Sequence, residues 1–405
     1  VRKVNKDELK TMQSQAPQIG PPKPLKDLSS WFKKNLFSSW KNTLLTIIFG
    51  AISYLILKSS IVWIFFSADW HVISANFRLL VVGQYPVAEL WRLWICLTLV
   101  SLLMGLSWGL WKGTVGHLTI AMGGLYSVLG CLPFMMTDTR IWLLVNIAVL
   151  VIAYVIGKNR LKLKKPILIA WFLMFPVIVF FLSGFGVFNH VGTNLWGGFL
   201  LTLLISMVAI VFSFPLGVLL ALGRRSKLPI VRWFSIGYIE LIRGVPLITI
   251  LFIAQLMLPL FMGHGIDINN VVRAMVGFTL FTAAYLAENI RGGLQSIPRG
   301  QFEAAESLGL NTAFKMTFII LPQALRAVIP AIVGLFIGIF KDTSLVAVVG
   351  LTDILGIGKN IISNPEFLGT QMEVFIFVAV VFLIFCNMMS YASRRLEVAL
   401  GVGKR

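Results

Sequence analysis

Ser296-Ile297-Pro298-Arg299-Gly300-Gln301-Phe302-Glu303-Ala304-Ala305-Glu306-Ser307-Leu308-Gly309 lies between two apolar blocks, near 270–291 and 324–341, and runs on to Ile319-Ile320-Leu321-Pro322. The stretch is polar, carries two acids and small residues at helical spacing, and is fenced by Pro298 and Gly309. Each flanking block is about 20 residues long, enough to cross a bilayer core. The expected local fold is a short water-facing helix between membrane-length helices. Pro298 suits its start, where no N–H bond is needed. Glu303 and Glu306 are expected in its early turns, favourable against the positive helix end. Ala304 and Ala305 are small, so a partner surface can approach the backbone closely. Gly309 can take a left-handed conformation and stop the helix. Asn311 can cap the next one.

The rest of the chain repeats the apolar theme. Of 405 residues, 58% are hydrophobic and 13% charged, whereas a soluble domain carries about 25% charged residues. Ten apolar blocks are read, near 44–66, 90–111, 116–136, 140–157 and 167–188, then 195–222, 244–263, 270–291, 324–341 and 371–392. The third and fourth are so close that they read as one hairpin. The expected fold class is an all-α polytopic membrane protein.

The net charge of +19 can suggest nucleic-acid binding, but its distribution points to membrane orientation instead. With a cytoplasmic N-terminus and ten alternating spans, 28 of the 35 Lys and Arg fall on the cytoplasmic side. Lys58, Arg78, Arg92, Arg140, Arg273, Lys341 and Lys359 fall elsewhere. Both termini, and the 296–322 loop, are therefore expected in the cytoplasm. No cleavable leader is expected at the N-terminus.

Three regions follow from composition. Residues 1–40 form a cytoplasmic tail, expected to be disordered to about Leu28. It ends in an amphipathic interfacial helix with Trp31, Phe32, Leu36 and Trp40 on one side and Lys33 and Lys34 on the other. Residues 41–190 hold the first five spans. The basic linker from Lys158 to Lys165 fixes topology and can attract anionic lipid headgroups. Residues 191–405 hold the other five spans.

Glu303-Ala304-Ala305, Gly309, Ile319 and Leu321-Pro322 resemble, position by position over 20 residues, the EAA motif of bacterial ABC importer permeases. Arg243-Gly244-Val245-Pro246-Leu247, Glu288-Asn289-Ile290-Arg291-Gly292 and Lys341-Asp342-Thr343-Ser344-Leu345 resemble the polar amino-acid uptake branch. The resemblance covers about 194–400 and implies a five-span type I permease core preceded by an accessory bundle. Phe77-Arg78-Leu79-Leu80-Val81-Val82-Gly83-Gln84-Tyr85-Pro86, with Glu89-Leu90-Trp91-Arg92, resembles the extra region of the long permease in general L-amino-acid importers.

The resemblance implies an inner-membrane permease subunit of a binding-protein-dependent, ATP-driven importer of L-amino acids with broad specificity. It implies two ATP-binding subunits, a second permease subunit in a heterodimer, an extracytoplasmic amino-acid-binding protein and an amino-acid substrate. Glu303, Ala304, Ala305, Gly309, Leu321 and Pro322 would couple to the ATPase. ATP and Mg would be used by that partner, and no cofactor is expected on this chain.

Charges at membrane depth mark a candidate substrate pathway. If the ninth span starts near Ala327, Lys341 lies roughly 20 Å into a core of about 30 Å. Lys341, Asp342, Thr343 and Ser344 offer both signs needed by an amino-acid zwitterion, or else an internal Lys341–Asp342 pair or a helix cap stabilises a break there. A short helical stretch is expected from Ser344 to Ile357. Glu288 is expected to pair with Arg291, with substrate contact as the alternative. Arg243 with Pro246 marks a helix break whose freed carbonyl can line a cavity, or a snorkelling side chain.

No catalytic constellation is found. A G-x-x-x-x-G-K-[ST] phosphate cradle is lacking; Gly356-Ile357-Gly358-Lys359-Asn360 has neither its spacing nor its hydroxyl. Cys96, Cys131 and Cys386 give no disulfide framework and no metal spacing. His71, His117, His190 and His264 are scattered, so no metal site is expected. A stand-alone secondary amino-acid transporter is the main rival; a membrane-embedded enzyme or scaffold is the weaker one.

Overall fold

The computed structural model describes residues 28–111, 113–261 and 268–401. The N-terminal tail expected to be disordered lies outside them. The chain divides into two compact units, Val1–Ala68 and Asp69–Arg405.

In the first unit, α1 (Leu28–Asn35) is followed after a short turn by α2 (Trp40–Val62), which continues through a π turn to Ser67. The amphipathic helix thus ends at Asn35, five residues before the expected limit. Ser39 caps α2 by accepting the Asn42 N–H at 3.3 Å. No residue of α2 is buried. A helix that is apolar on every face suits a lipid environment.

The second unit begins with α3 (His71–Val82), α4 (Leu90–Trp111), α5 (Thr114–Cys131), α6 (Thr137–Asn159) and α7 (Lys164–Ser183). α4 packs on α6, with α5 and α7 beside them. Between them the Ser101 hydroxyl donates to Asn146 Oδ1 at 2.9 Å and meets the Tyr126 hydroxyl at 3.0 Å. The third and fourth blocks do form a hairpin. Arg140 closes its turn by donating to the carbonyls of Leu132 and Pro133.

α8 (Gly198–Arg224), α9 (Pro229–Arg243), α10 (Leu247–Phe261) and α11 (Asn270–Ser296) follow. The seventh apolar block is not a straight span. α9 and α10 meet at a 105° bend across Gly244-Val245-Pro246, because the residue before a proline is driven out of helical conformation. α11 is the central helix, packed on α8, α9 and α13. Asn269 caps it by accepting the Val271 N–H at 2.9 Å.

After the polar loop come α12 (Arg299–Ser307), α13 (Leu321–Asp342), α14 (Ile354–Ile362) and α15 (Gln371–Leu400). The helical stretch expected at 344–357 is two pieces, a 3₁₀ run Thr343–Val349 and α14. Gly350, at φ +85°, separates them. Among the described residues, nine helices are long and apolar enough to cross a membrane, and the bent pair makes a tenth if it counts as one span.

Two apolar clusters fix the core. One joins Leu201 and Ile205 of α8 to Leu251, Phe278 and Ile339. The other joins Ala221, Ile239, Ile290, Leu294, Ile320 and Ala324 near the polar loop. α3 packs on α8, α14 and α15, so this helix from the first half of the sequence is built into the second half.

Candidate functional site: the polar helix and its seat

The polar stretch folds as its local signals dictate. Ile297 precedes Pro298 and is extended (φ −76°, ψ 126°), which ends α11. Pro298 is the N-cap residue of α12. At the other end Gly309 adopts φ +71°. Its N–H donates to the Glu306 carbonyl at 2.9 Å, and the Leu310 N–H donates to the Ala305 carbonyl at 3.2 Å. This pair of bonds satisfies carbonyls that a helix end otherwise leaves open. Asn311 Oδ1 accepts the Phe314 N–H at 2.9 Å, as expected of a cap.

Tertiary packing then gives α12 two different faces. Ala305 is only 1% exposed, and Phe302 packs against the Ile290–Leu294–Ile320 cluster. The Arg225 guanidinium, just past the end of α8, lies over the Phe302 ring at 5.6 Å. Gln323 donates to Gln301 at 3.2 Å. On the open side Gly300, Glu303, Ala304 and Ser307 form one exposed stripe at i, i+3, i+4 and i+7. Leu308, 76% exposed, ends it.

Two expectations are corrected here. Ala305 does not face a partner; it is sealed against the membrane helices, and Ala304 alone of the pair is open. Glu306 is also not in an early turn of the nine-residue helix. Glu303 is its fifth residue and Glu306 its eighth. Glu306 pairs with Lys315, a buried lysine in the π turn Lys315–Ile320. The hydrogen bond and charge of Lys315 hold the Glu306 carboxyl below the usual range. Leu321 is half-buried against the same cluster, and Pro322 is exposed at the start of α13.

Beside this seat is a charged network. Glu288 of α11 accepts from Arg291 Nε at 2.9 Å and forms an ion pair with its guanidinium. Its Oε2 also lies 3.5 Å from Arg224 and 3.6 Å from Arg243. Arg224 pairs with Glu240 at 2.9 Å. The expected Glu288–Arg291 pair is therefore present, within a five-residue network that ties α8, α9 and α11. Arg243 further stacks over Tyr285 at 5.7 Å. Its partners leave no need for the lone snorkelling arrangement.

The second candidate cluster is elsewhere, at the far end of α13. No ion pair joins Lys341 to Asp342 among the described residues, and the Asp342 side chain caps no backbone N–H at the break. Lys341 is exposed and Asp342 half-buried. Thr343 is buried and donates to the Phe340 carbonyl at 2.7 Å; Ser344 donates to the Lys341 carbonyl at 2.9 Å. The two hydroxyls thus serve the backbone at the end of α13, while the two charges stay available. No group of three or more His, Cys, Asp or Glu able to hold a metal occurs among the described residues.

Sequence reasoning missed Phe302, Arg225, Lys315 and Glu240. Phe302 had a signal, an apolar residue three before Ala305 in a polar helix. Lys315 had none, since it lies nine residues from Glu306 across a break.

Residues 213–398 match the family described as "Binding-protein-dependent transport system inner membrane component". The chain is 37% identical to the inner membrane amino-acid ABC transporter permease protein YhdY of Escherichia coli (strain K12), over 95% of this chain and 97% of that protein. It is 36% identical to the glutamate/glutamine/aspartate/asparagine transport system permease protein BztC of Rhodobacter capsulatus, over 93% of this chain and 95% of that protein. Among solved structures, the crystal structure of an amino acid ABC transporter with histidines is 29% identical, with a TM-score of 0.45, over 49% of this chain and 90% of that chain.

Proposed function

Because this chain belongs to the amino-acid ABC transporter permeases of the inner membrane, we propose that α12 is the element through which it is driven by separate ATP-hydrolysing subunits. The observation that carries this is the two-faced seating of α12. Phe302 and Ala305 fix it to the span ends, while Gly300, Glu303, Ala304 and Ser307 stay open to a partner groove. A helix held this way transmits displacement to α8, α11 and α13 rather than absorbing it. Ala305 and Leu321 act from the inner side of this seat, Gly309 by ending the helix sharply, and Pro322 by starting α13.

The assembly implied has two ATP-binding subunits that use ATP and Mg, a second permease subunit in a heterodimer, and an extracytoplasmic amino-acid-binding protein. Both termini lie in the cytoplasm, on the strength of the Lys and Arg distribution. The core occupies 191–405 and the accessory spans 41–190. Full-length similarity to the relative named for four polar amino acids supports a broad range of L-amino acids. Lys341 and Asp342, unpaired at the end of a span, are the pathway groups for the zwitterion, with Thr343 and Ser344 shaping their backbone. Glu288 and Arg243 serve the pathway indirectly, by clamping the helices beside it.

The test is uptake by proteoliposomes holding the copurified complex, binding protein and a panel of amino acids. Uptake should require ATP and the binding protein. Gly309→Val should lower ATPase copurification or uncouple it from transport, with the spans still inserted. Uptake without ATPase subunits would instead identify a secondary transporter. Unchanged transport and copurification in Gly309→Val would remove α12 from the drive.

A further inference from the structure

The elbow between α1 and α2, within the first unit, gathers charge of one sign. The described part of that unit, residues 28–68, holds Lys33, Lys34, Lys41 and Lys58 and no Asp or Glu. Lys33 and Lys34 lie in the last turn of α1, and Lys41 in the first turn of α2. All three are exposed. None of them forms an ion pair among the described residues.

The elbow is tied in place. The Thr46 hydroxyl, in the second turn of α2, donates to the Leu36 carbonyl at 2.9 Å. Asn42 Nδ2 donates to the Ser38 hydroxyl at 2.7 Å. The end of α1 is thereby held beside the first turns of α2, and the three lysines stay together there. Like charges gathered this way repel, so the arrangement asks for an anion from outside the unit. Aromatic rings accompany the lysines. Trp31 and Phe32 meet edge to face at 5.4 Å, and Lys41 Nζ lies 5.9 Å from the Trp40 ring centre. Trp40 is 73% exposed and Phe37 48%. Such rings favour the level of the lipid headgroups.

We infer that the α1–α2 elbow is a binding site for an anionic phospholipid. Lys33, Lys34 and Lys41 take the headgroup charge, and Trp31, Phe37 and Trp40 lie at the boundary between headgroup and acyl chain. The unburied apolar sides of α2 run on from the lysines and accept the acyl chains, which neither free phosphate nor an acidic protein surface possesses. On the orientation proposed above, the lipid belongs to the cytoplasmic leaflet.

The test places the photoreactive residue benzoylphenylalanine at Phe37 of the whole complex, in nanodiscs of phosphatidylethanolamine with a minority of phosphatidylglycerol. Adducts are identified by mass spectrometry. Phosphatidylglycerol should be enriched several-fold over its share of the disc, and the enrichment should shrink as salt screens the lysines. The triple variant Lys33→Gln, Lys34→Gln, Lys41→Gln should abolish it, and the matching triple Lys→Arg variant should keep it. Lys34→Gln alone leaves two cations at the elbow and should lower the enrichment up to about fivefold, even if the triple variant does not insert. Capture of phosphatidylglycerol only in proportion to its share would leave the lysines a purely topological role and overturn the site. Adducts mainly to a protein chain would show a protein at the elbow, and overturn it equally.

Discussion

The Arg225 guanidinium, one residue past α8, lies over the ring of Phe302 in α12 at 5.6 Å. Arg225 also donates to the Leu294 carbonyl near the end of α11 at 3.4 Å. One side chain therefore joins the polar helix to two spans. Phe302→Ala removes the ring that Arg225 covers and the cluster supports. The expected cost is about 2 kcal/mol, below a full core deletion because the ring is half-buried. Uptake should fall at least tenfold while ATP hydrolysis by the assembled complex persists. Phe302→Leu should restore most of the uptake. Equal uptake in wild type and Phe302→Ala would show that the seat does not transmit force.

The Glu306–Lys315 pair is asymmetric, because Lys315 is buried and Glu306 is exposed. Glu306→Gln strands a buried cation, whereas Lys315→Met leaves a carboxylate in water. Glu306→Gln should thus lower the melting temperature of the complex more than Lys315→Met does. The double variant should recover part of the loss. The pH dependence has a fixed sign. The folded Glu306 value is depressed, so its stabilisation is complete above the unfolded value of about 4.3 and is lost as pH falls through the folded one. Lys315→Met should flatten the acid limb of the stability profile; an unchanged limb assigns it to other carboxyls.

Glu288 faces three arginines, so Glu288→Gln leaves Arg224, Arg243 and Arg291 with Glu240 as the remaining acid of the network. A clamp of this kind predicts a loss of about 2 kcal/mol and a lower uptake rate with unchanged KM. Adding Arg291→Gln removes surplus positive charge and should restore part of the stability. A raised KM with unchanged stability would place Glu288 against substrate instead.

Lys341 has no ion pair among the described residues and stands at the end of a span. Lys341→Met should reduce uptake by tenfold or more and leave assembly intact, because no contact that holds the fold is removed. Uptake kinetics equal to wild type would take Lys341 off the pathway.

What was legible in the sequence was set by local rules. Apolar blocks of span length marked the helices. Pro298 and Gly309 bounded α12 through their own backbones, and Asn311 capped the turn after it through its own side chain. Pro246 announced the break before α10, though not its 105° angle. What was illegible depended on which way a helix faces after packing. Ala305 and Ala304 are neighbours of identical chemistry, yet one is sealed and the other open. Glu306 was read against its own helix end, while its partner comes from a π turn that no local signal places. The Lys341–Asp342 pair looked natural from adjacency, but adjacent residues on a helix project about 100° apart and do not face each other.

The same limit applies to the joint between the two halves. Gly83-Gln84-Tyr85-Pro86 enters the sequence reading only through its resemblance, and its purpose appears only in three dimensions. A Cβ on Gly83 would lie 2.4 Å from the Gly197 Cα, and one on Gly198 would lie 2.6 Å from the Leu80 carbonyl. Gly198 also needs φ +61° and donates its N–H to the Thr352 carbonyl at 2.8 Å. Tyr85 completes the joint, its hydroxyl donating to the Leu182 carbonyl at 3.0 Å. Backbone thus meets backbone where α3 crosses the start of α8. Gly198→Ala combines a disfavoured conformation with a clash that no rotamer relieves, and should cost about 2–3 kcal/mol. The melting temperature should fall, and protease sensitivity should rise first in the 83–90 loop. Gly124→Ala, with open space around it, is the control and should change neither. If Gly198→Ala melts like this control, α3 is not anchored to α8 by this contact.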